Sequence, residues 1–374
     1  MIEKYKDITV VNGKYSIDIL ESSNPIFVCV ISYTETSEIP GITVAGANKD
    51  LIKYTSSADA EFLYYGKCKC IDGVPATPDG KPTPAIITKT MLNIGNIPFI
   101  VVDSGAKIKP DIPLFSFNLR SGKNIMENIA MELEEVEKAY RYGLMLGKQL
   151  SKSNDLVILG ESIPGGTTTA LAVMLSLGID AKNKMSSSMP ENPHNLKNMI
   201  VIKSMKRNNI TFGSLKDKPF EAISLLGDPM IPSVTGIAQG VIDNGGRVML
   251  AGGTQMCTIL SILKSLNVKT DKVVIGTTKY IFNDHSADFT NLVLSIDNNV
   301  GIVISDLHLI ESTKLGLKAF ANGFVKEGVG AGGVSIATMI NANGKLNGEI
   351  LLKCIEREYE KNIEKKFTLN EINI

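Results

Sequence analysis

Two glutamates stand beside glycine-rich runs, and their surroundings define the chemistry open to the chain. The first, Glu161, lies in "LGESIPGGTTTA" (159–170), after an apolar run and before a helix-like stretch. Strand, glycine-rich turn and helix in that order make an anion site, because backbone N–H groups converge at the positive end of the helix. Gly165, Gly166, Thr167 and Thr168 are the residues placed to cradle a phosphate. Gly160, Gly165 and Thr167 fall at the spacing of G-x-x-x-x-G-K-[ST], yet Gly166 occupies the lysine position. Without that lysine, and with Glu161 adding negative charge, a triphosphate is poorly matched; one phosphate or a sugar edge fits better. The same residues also suit an ordinary strand-to-helix turn capped by threonines. A serine-hydrolase reading fails, because 160–165 is one residue too long for G-x-S-x-G.

The second glutamate, Glu327, precedes "GVGAGG" in "FVKEGVGAGGVSIATM" (324–339). Gly328, Gly330 and Gly333 obey G-x-G-x-x-G, the dinucleotide fingerprint, but that motif must follow a strand. Here "STKLGLKAFANGF" spaces Leu315, Ala319 and Phe324 as a helix would. Gly328 and Gly330 therefore read as flexible backbone that approaches a ligand, and a helix from near Val334 adds another positive end. A solvated glutamate in a loop is the plainer alternative. Two further strand-to-helix corners could border the same crevice: "VVDSG", where Asp103 ends a strand, and "AGGTQM", with Gly252 and Gly253. Two glutamates, several N–H nests and few metal ligands suggest acid–base chemistry on a phosphorylated sugar.

The elements that must position these residues alternate between strand and helix. Strands are expected at 26–31, 98–102, 156–159, 222–226, 248–251, 273–275 and 302–304, several of them continuously apolar, as in parallel strands covered on both faces. "ENIAMELEEVEKAYRYGLMLGKQL" predicts a long amphipathic helix with Ile129, Leu133, Val136, Tyr140, Leu144 and Gly147 on its apolar stripe. Helices are also expected over 229–243 and 254–266, and the proline-rich 74–85 reads as a surface loop. The fold class is α/β, with a doubly wound, mostly parallel sheet.

Composition narrows the partners. Lys+Arg and Asp+Glu both number 39 in 374 residues, so there is no basic footprint for nucleic acid and no polybasic face for a membrane. The first residues lack the build of a signal peptide, and no apolar run approaches the ~18 residues of a membrane span. A cytoplasmic protein is expected. Five scattered cysteines and three distant histidines offer no metal-ligand pattern, so no metal is expected.

The motifs also carry a resemblance. "GESIPGGTTTA" matches without a gap the pattern G-E-M-G-I-G-N-T-T-T-A, and "EGVGAGG" resembles E-G-T-G-A. "VVDSG" and "AGGTQM" look like the V-V-D-x-G and G-G-x-Q-M segments of the same family, in the right order. That family is nicotinate-nucleotide:5,6-dimethylbenzimidazole phosphoribosyltransferase, which makes the lower-ligand nucleotide of cobalamin. The resemblance spans roughly residues 25–340. It implies a Rossmann-like large domain in a three-layer sandwich over 22–345, a small helical part from 1–21 plus 346–374, a homodimer, and no cofactor. It further implies nicotinate mononucleotide and a benzimidazole-type base as substrates, with Glu327 as general base and Glu161 as a second carboxylate. Lys197 resembles a phosphate-binding lysine of the family. This chain departs from the pattern at Gly166 (asparagine in the family), Ser162-Ile163 (methionine-glycine) and Val329 (threonine). A nicotinamide-dependent oxidoreductase and a non-catalytic nucleotide-binding relative are the rival readings; NADH fluorescence on mixing separates the first.

Overall fold

The computed structural model describes residues 4–46, 48–77 and 81–364. The tip of the proline-rich loop and the end of the C-terminal tail thus lie outside the described residues. Eight strands form one sheet: β1 (Ile8–Asn12), β2 (Pro25–Ile31), β3 (Phe99–Asp103), β4 (Phe115–Ser116), β5 (Leu156–Ser162), β6 (Arg247–Ala251), β7 (Val273–Thr278) and β8 (Gly301–Ser305). Their order is β1-β8-β7-β6-β5-β2-β3-β4. Only β1 runs antiparallel, along β8; the other pairs are parallel.

Side chains alternate across the sheet, as the period of two requires. Val28, Val30, Val157, Leu159, Val248 and Leu250 enter one apolar cluster, while Phe27, Cys29, Ile31, Leu156, Ile158 and Met249 enter the other. Helices cover both faces, and the result is a three-layer α/β sandwich. Near-total burial of both faces explains why β2 and β5 read as continuous apolar runs. The chain ends join these layers. β1 is an edge strand of the main sheet, and Ile17, Leu351 and Ile355 belong to the same apolar cluster as Phe27.

Two sequence expectations need correction. Residues 222–226 are the end of a helix, Pro219–Leu226, not a strand. A five-residue apolar run fits a buried helix as well as a strand; Pro219 at the first helical position is the signal that decides it. The long helix starts later than expected, at Leu133, and runs to Leu150. Its buried face is Val136, Ala139, Gly143 and Gly147, while Leu133 is exposed. The stripe is rotated because this helix packs backbone to backbone on the helix Met230–Asp243. A Cβ on Gly147 would stand 2.2 Å from the carbonyl oxygen of Ile237, and one on Gly240 would stand 2.2 Å from that of Leu144.

The sheet order reverses between β5 and β2. From β5 the chain builds outward through β6, β7 and β8; from β2 it builds the other way through β3 and β4. Crevices at the carboxyl ends of strands flanking such a reversal are where ligands bind in open α/β sheets. Val30 pairs with Glu161 and Ile31 with Ser162, so topology alone delivers Glu161 to that position.

Candidate active site

Glu161 is the penultimate residue of β5 rather than part of a loop. Glu327 reaches it from a distant segment, and two glycines permit the approach. A Cβ on Gly160 would lie 2.9 Å from the Cα of Gly330, and a Cβ on Gly330 would collide with the Phe27 ring. The Val329 N–H donates to the carbonyl of Glu161 at 2.9 Å, which fastens the second motif onto the first. Both glutamates line one cavity of about 210 Å³.

The carboxylates are held differently. Glu161 Oε1 accepts from Gln255 Nε2 at 3.0 Å and Oε2 from the Ile163 N–H at 3.0 Å. Glu327 Oε1 accepts from the N–H groups of Gly328 and Gly332 at 3.2 and 3.1 Å. Its Oε2 accepts from Thr278 N–H at 3.0 Å and Thr277 Oγ1 at 3.3 Å. Glu327 thereby caps the helix Ala331–Asn341, whose positive end serves this carboxylate. Burial pushes the Glu161 carboxyl up to about 8, with Asp228, Glu327 and Asp59 adding negative charge nearby. Burial also raises Glu327, to about 7, and its backbone donors restrain the rise. Both groups can thus exchange a proton near neutral pH.

Backbone strain surrounds Glu327. Val325 and Val329 adopt positive φ, +44° and +53°. β-branched residues avoid this region, and such outliers cluster at functional sites.

The glycine turn borders the same cavity. Helices Gly166–Ser176 and Thr254–Ser265 both begin at it, and Gly166, Thr167, Ser186, Gly253 and Thr254 line it. Lys197, on the helix His194–Arg207, lies behind Thr167 and is not itself part of the cavity wall. Lys197 is fully buried, and its Nζ donates to Thr167 Oγ1 and the Ser186 carbonyl, both at 2.8 Å. Burial and the neighbouring Lys326 lower it to about 7, opposed by Asp284. Two helix N-termini at one wall give that wall N–H donors suited to an anionic group.

The remaining sequence candidates divide. Gly165, Gly166, Thr167, Gly253 and Gly328 line the cavity together with the glutamates. Gly165 also meets a packing demand: its φ is +75°, and a Cβ would stand 2.8 Å from that of Ser37. Thr168, Gly252, Gly330 and Asp103 are not brought to the cavity wall. Thr168 is buried inside its helix, and the Gly252 N–H pairs with the Gly276 carbonyl. Gly330 serves the close approach to β5, not a ligand. Asp103 shapes its own turn: Oδ1 accepts from the N–H groups of Gly105 and Ala106 at 3.1 and 2.9 Å, and Oδ2 pairs with Lys109 at 2.5 Å. Gln255, Thr254, Ser186 and Asp59 are cavity residues that sequence reasoning missed. Of these, Gln255 and Thr254 lay within the quoted "AGGTQM", and their place after a strand's carboxyl end was the available signal.

A mostly parallel sheet with two buried carboxylates and two helix starts around one crevice places the protein in the α/β class. The family model described as phosphoribosyltransferase (DBI_PRT) matches residues 90–283, just over half of the chain. The protein belongs to that phosphoribosyltransferase family, as a divergent member. It is 46% identical to the UPF0284 protein of Archaeoglobus fulgidus over 91% of this chain and 95% of that protein. It is 43% identical to the UPF0284 protein of Sulfurisphaera tokodaii over 95% of this chain and 98% of that one. Its fold resembles a solved nicotinate-nucleotide-dimethylbenzimidazole phosphoribosyltransferase from Thermus thermophilus, with a TM-score of 0.57 and 14% identity over 91% of this chain and 93% of that one. A structure titled CobT from the same organism gives 0.59 and 13%, covering 92% of each chain. Among the described residues no helix is long and apolar enough to cross a membrane.

Proposed function

We propose that this phosphoribosyltransferase moves the phosphoribosyl group of nicotinate mononucleotide to a ring nitrogen of a heterocyclic base and releases nicotinate. The observation that carries this reading is one cavity lined by Glu161, Glu327 and the glycine turn, with Lys197 hydrogen-bonded to Thr167 behind that turn. The phosphate docks on the N–H groups of the 166 and 254 helix starts, with Lys197 supplying charge through the Thr167 corner. The base nitrogen forms a bond to the ribosyl C1, and the bond from C1 to the pyridinium nitrogen breaks. Its electron pair neutralises that nitrogen, so nicotinate leaves without a general acid. The base loses its N–H proton to Glu327, which its backbone donors keep the more readily ionised of the pair. Glu161 faces the positive charge that develops on the sugar. Family membership and the resemblance of both glutamate motifs support this assignment.

The test is incubation with nicotinate mononucleotide and a panel of bases, following nicotinate by chromatography. Base-dependent nicotinate release is expected. Micromolar ATP binding with no binding of nicotinate mononucleotide would overturn it.

A further inference from the structure

The carboxylate end of the cavity holds a third acid that the transfer step does not use. Asp59 lies on the helix Thr55–Tyr65, is 3% exposed and contributes to the cavity wall. Its Oδ2 accepts from Ser162 Oγ at 2.6 Å and its Oδ1 from Thr83 Oγ1 at 2.7 Å. A carboxylate has about four acceptor positions, so each oxygen keeps one for another donor. One helical turn earlier, on the same face, Thr55 also lines the cavity. Its Oγ1 is buried and has no hydrogen-bond partner among the described residues. A buried hydroxyl left unpaired is costly, and at a ligand cavity it marks a partner supplied by the ligand.

Asp59 is fastened to the segments beside both glutamates, where the proposed proton transfer places the base. Ser162 directly follows Glu161, and Pro84, beside Thr83, is the side chain nearest to a Cβ built on Gly328, next to Glu327. Leu51, Ile71 and Val74 supply apolar wall suited to a flat ring.

We infer that Asp59 and Thr55 select an acceptor base whose edge carries an N–H donor beside a ring-nitrogen acceptor, as in an aminopurine, in preference to an apolar dimethylated ring. Asp59 takes the N–H, and the Thr55 hydroxyl, free to rotate, donates to the ring nitrogen. A methylated edge would leave the Thr55 hydroxyl unpaired and give Asp59 no donor beyond Ser162 and Thr83. The serine that replaces the methionine of the family pattern also gains a purpose, since Ser162 holds Asp59 in place. The inference rests on the phosphoribosyl-transfer reading for the identity of the base site.

Calorimetric titration of adenine, purine and 5,6-dimethylbenzimidazole against the wild-type protein, Asp59→Asn and Thr55→Val tests it, with nicotinate release measured in parallel. Adenine should bind at least tenfold tighter than purine, which lacks only the amino group, and tighter still than the dimethylated base; a hydrogen bond to a charged group is worth that much. Asp59→Asn should erase the adenine–purine difference. Thr55→Val, which removes an unpaired hydroxyl, should keep the melting temperature while weakening adenine and purine together. Equal binding of adenine and purine by the wild type overturns the inference. So does an equal loss for all three bases in Asp59→Asn, which would make Asp59 only a fastener of Thr83 to Ser162. Adenine preference without nicotinate release from any base would remove the transfer reading and leave the edge selection standing. Nicotinate release with 5,6-dimethylbenzimidazole and no adenine binding would do the reverse.

Discussion

The two glycine-rich corners look alike in sequence and behave differently in space. At the first, Glu161 lies in the last residue pair of a regular strand and is held by one side-chain amide and one N–H. At the second, Glu327 sits between two positive-φ valines and is held by three backbone N–H groups and a hydroxyl. Backbone donors favour the ionised form of a carboxylate, whereas burial favours the neutral one. Burial raises both; the negative charge of Asp228, Glu327 and Asp59 adds to the rise of Glu161, to about 8, while the larger set of donors restrains Glu327 to about 7. A glycine-rich turn is therefore not one device. The first leaves its helix start open to a ligand; the second spends its helix start on its own glutamate.

Substitution of the glutamates sharpens this contrast most. Glu327→Gln should lower turnover by roughly 10²–10⁴, the usual worth of a general base, with little change in melting temperature. Glu161→Gln should cost less. Equal losses, measured as initial rates of nicotinate release, would dissolve the distinction.

Lys197→Met probes the open corner. Loss of the ammonium behind Thr167 should raise the dissociation constant for nicotinate mononucleotide tenfold or more while sparing the base site. Burial holds Lys197 near 7 in the free protein, and a phosphate would favour its charged form. Binding at pH 8 should accordingly take up a proton, seen as a calorimetric heat that varies with the ionisation enthalpy of the buffer and loses that variation in Lys197→Met.

The glycines of the first corner should separate packing from binding. Gly165→Val places a β-branched residue at φ +75° against Ser37, so the expected result is a stability loss of about 2–4 kcal/mol rather than a selective loss of affinity. A Cβ at Gly166 would meet the Gln255 amide oxygen at 2.1 Å. Gly166→Ala should fold and act through displacement of Gln255 from Glu161, lowering turnover more than melting temperature. A fully stable Gly165→Val protein would refute the packing argument.

A further contrast is in stability against pH. A folded-state carboxyl raised to about 8 from an ordinary 4.5 binds its proton more tightly than the unfolded chain does. Its contribution is fully present below 4.5 and is lost as the pH rises through about 8. Glu161→Gln should thus melt at the wild-type temperature near pH 4.5 and above it at pH 9. Parallel curves, recorded by scanning calorimetry, would contradict the burial of this charge.

Much of the fold was legible because its signals are local. The apolar β-branched runs at 26–31, 156–159 and 273–275 became β2, β5 and β7, and the helices at 229–243 and 254–266 fell within a residue or two. Failures came where local pattern is degenerate. The run 222–226 fits strand or helix, and the long helix hides its packing face because glycine carries no apolar signal. Of the site, Glu161, Glu327, Gly165 to Thr167 and Gly253 were readable from motifs. Asp59, Thr55 and Ser186 were not, since each is an ordinary residue until the sheet brings it to the crevice.

The sequence by itself determined the α/β class, the two glycine-rich motifs and the identity of the acids they carry, since strand burial, turn geometry and helix starts depend on neighbours a few residues away. Only the tertiary structure decided that Gly160 and Gly330 let those motifs touch and that Lys197 packs behind Thr167. It also decided that Asp103 serves its own turn. These outcomes depend on contacts between segments tens to hundreds of residues apart. Burial, which sets the carboxyl and ammonium proton affinities, exists only once those segments have packed.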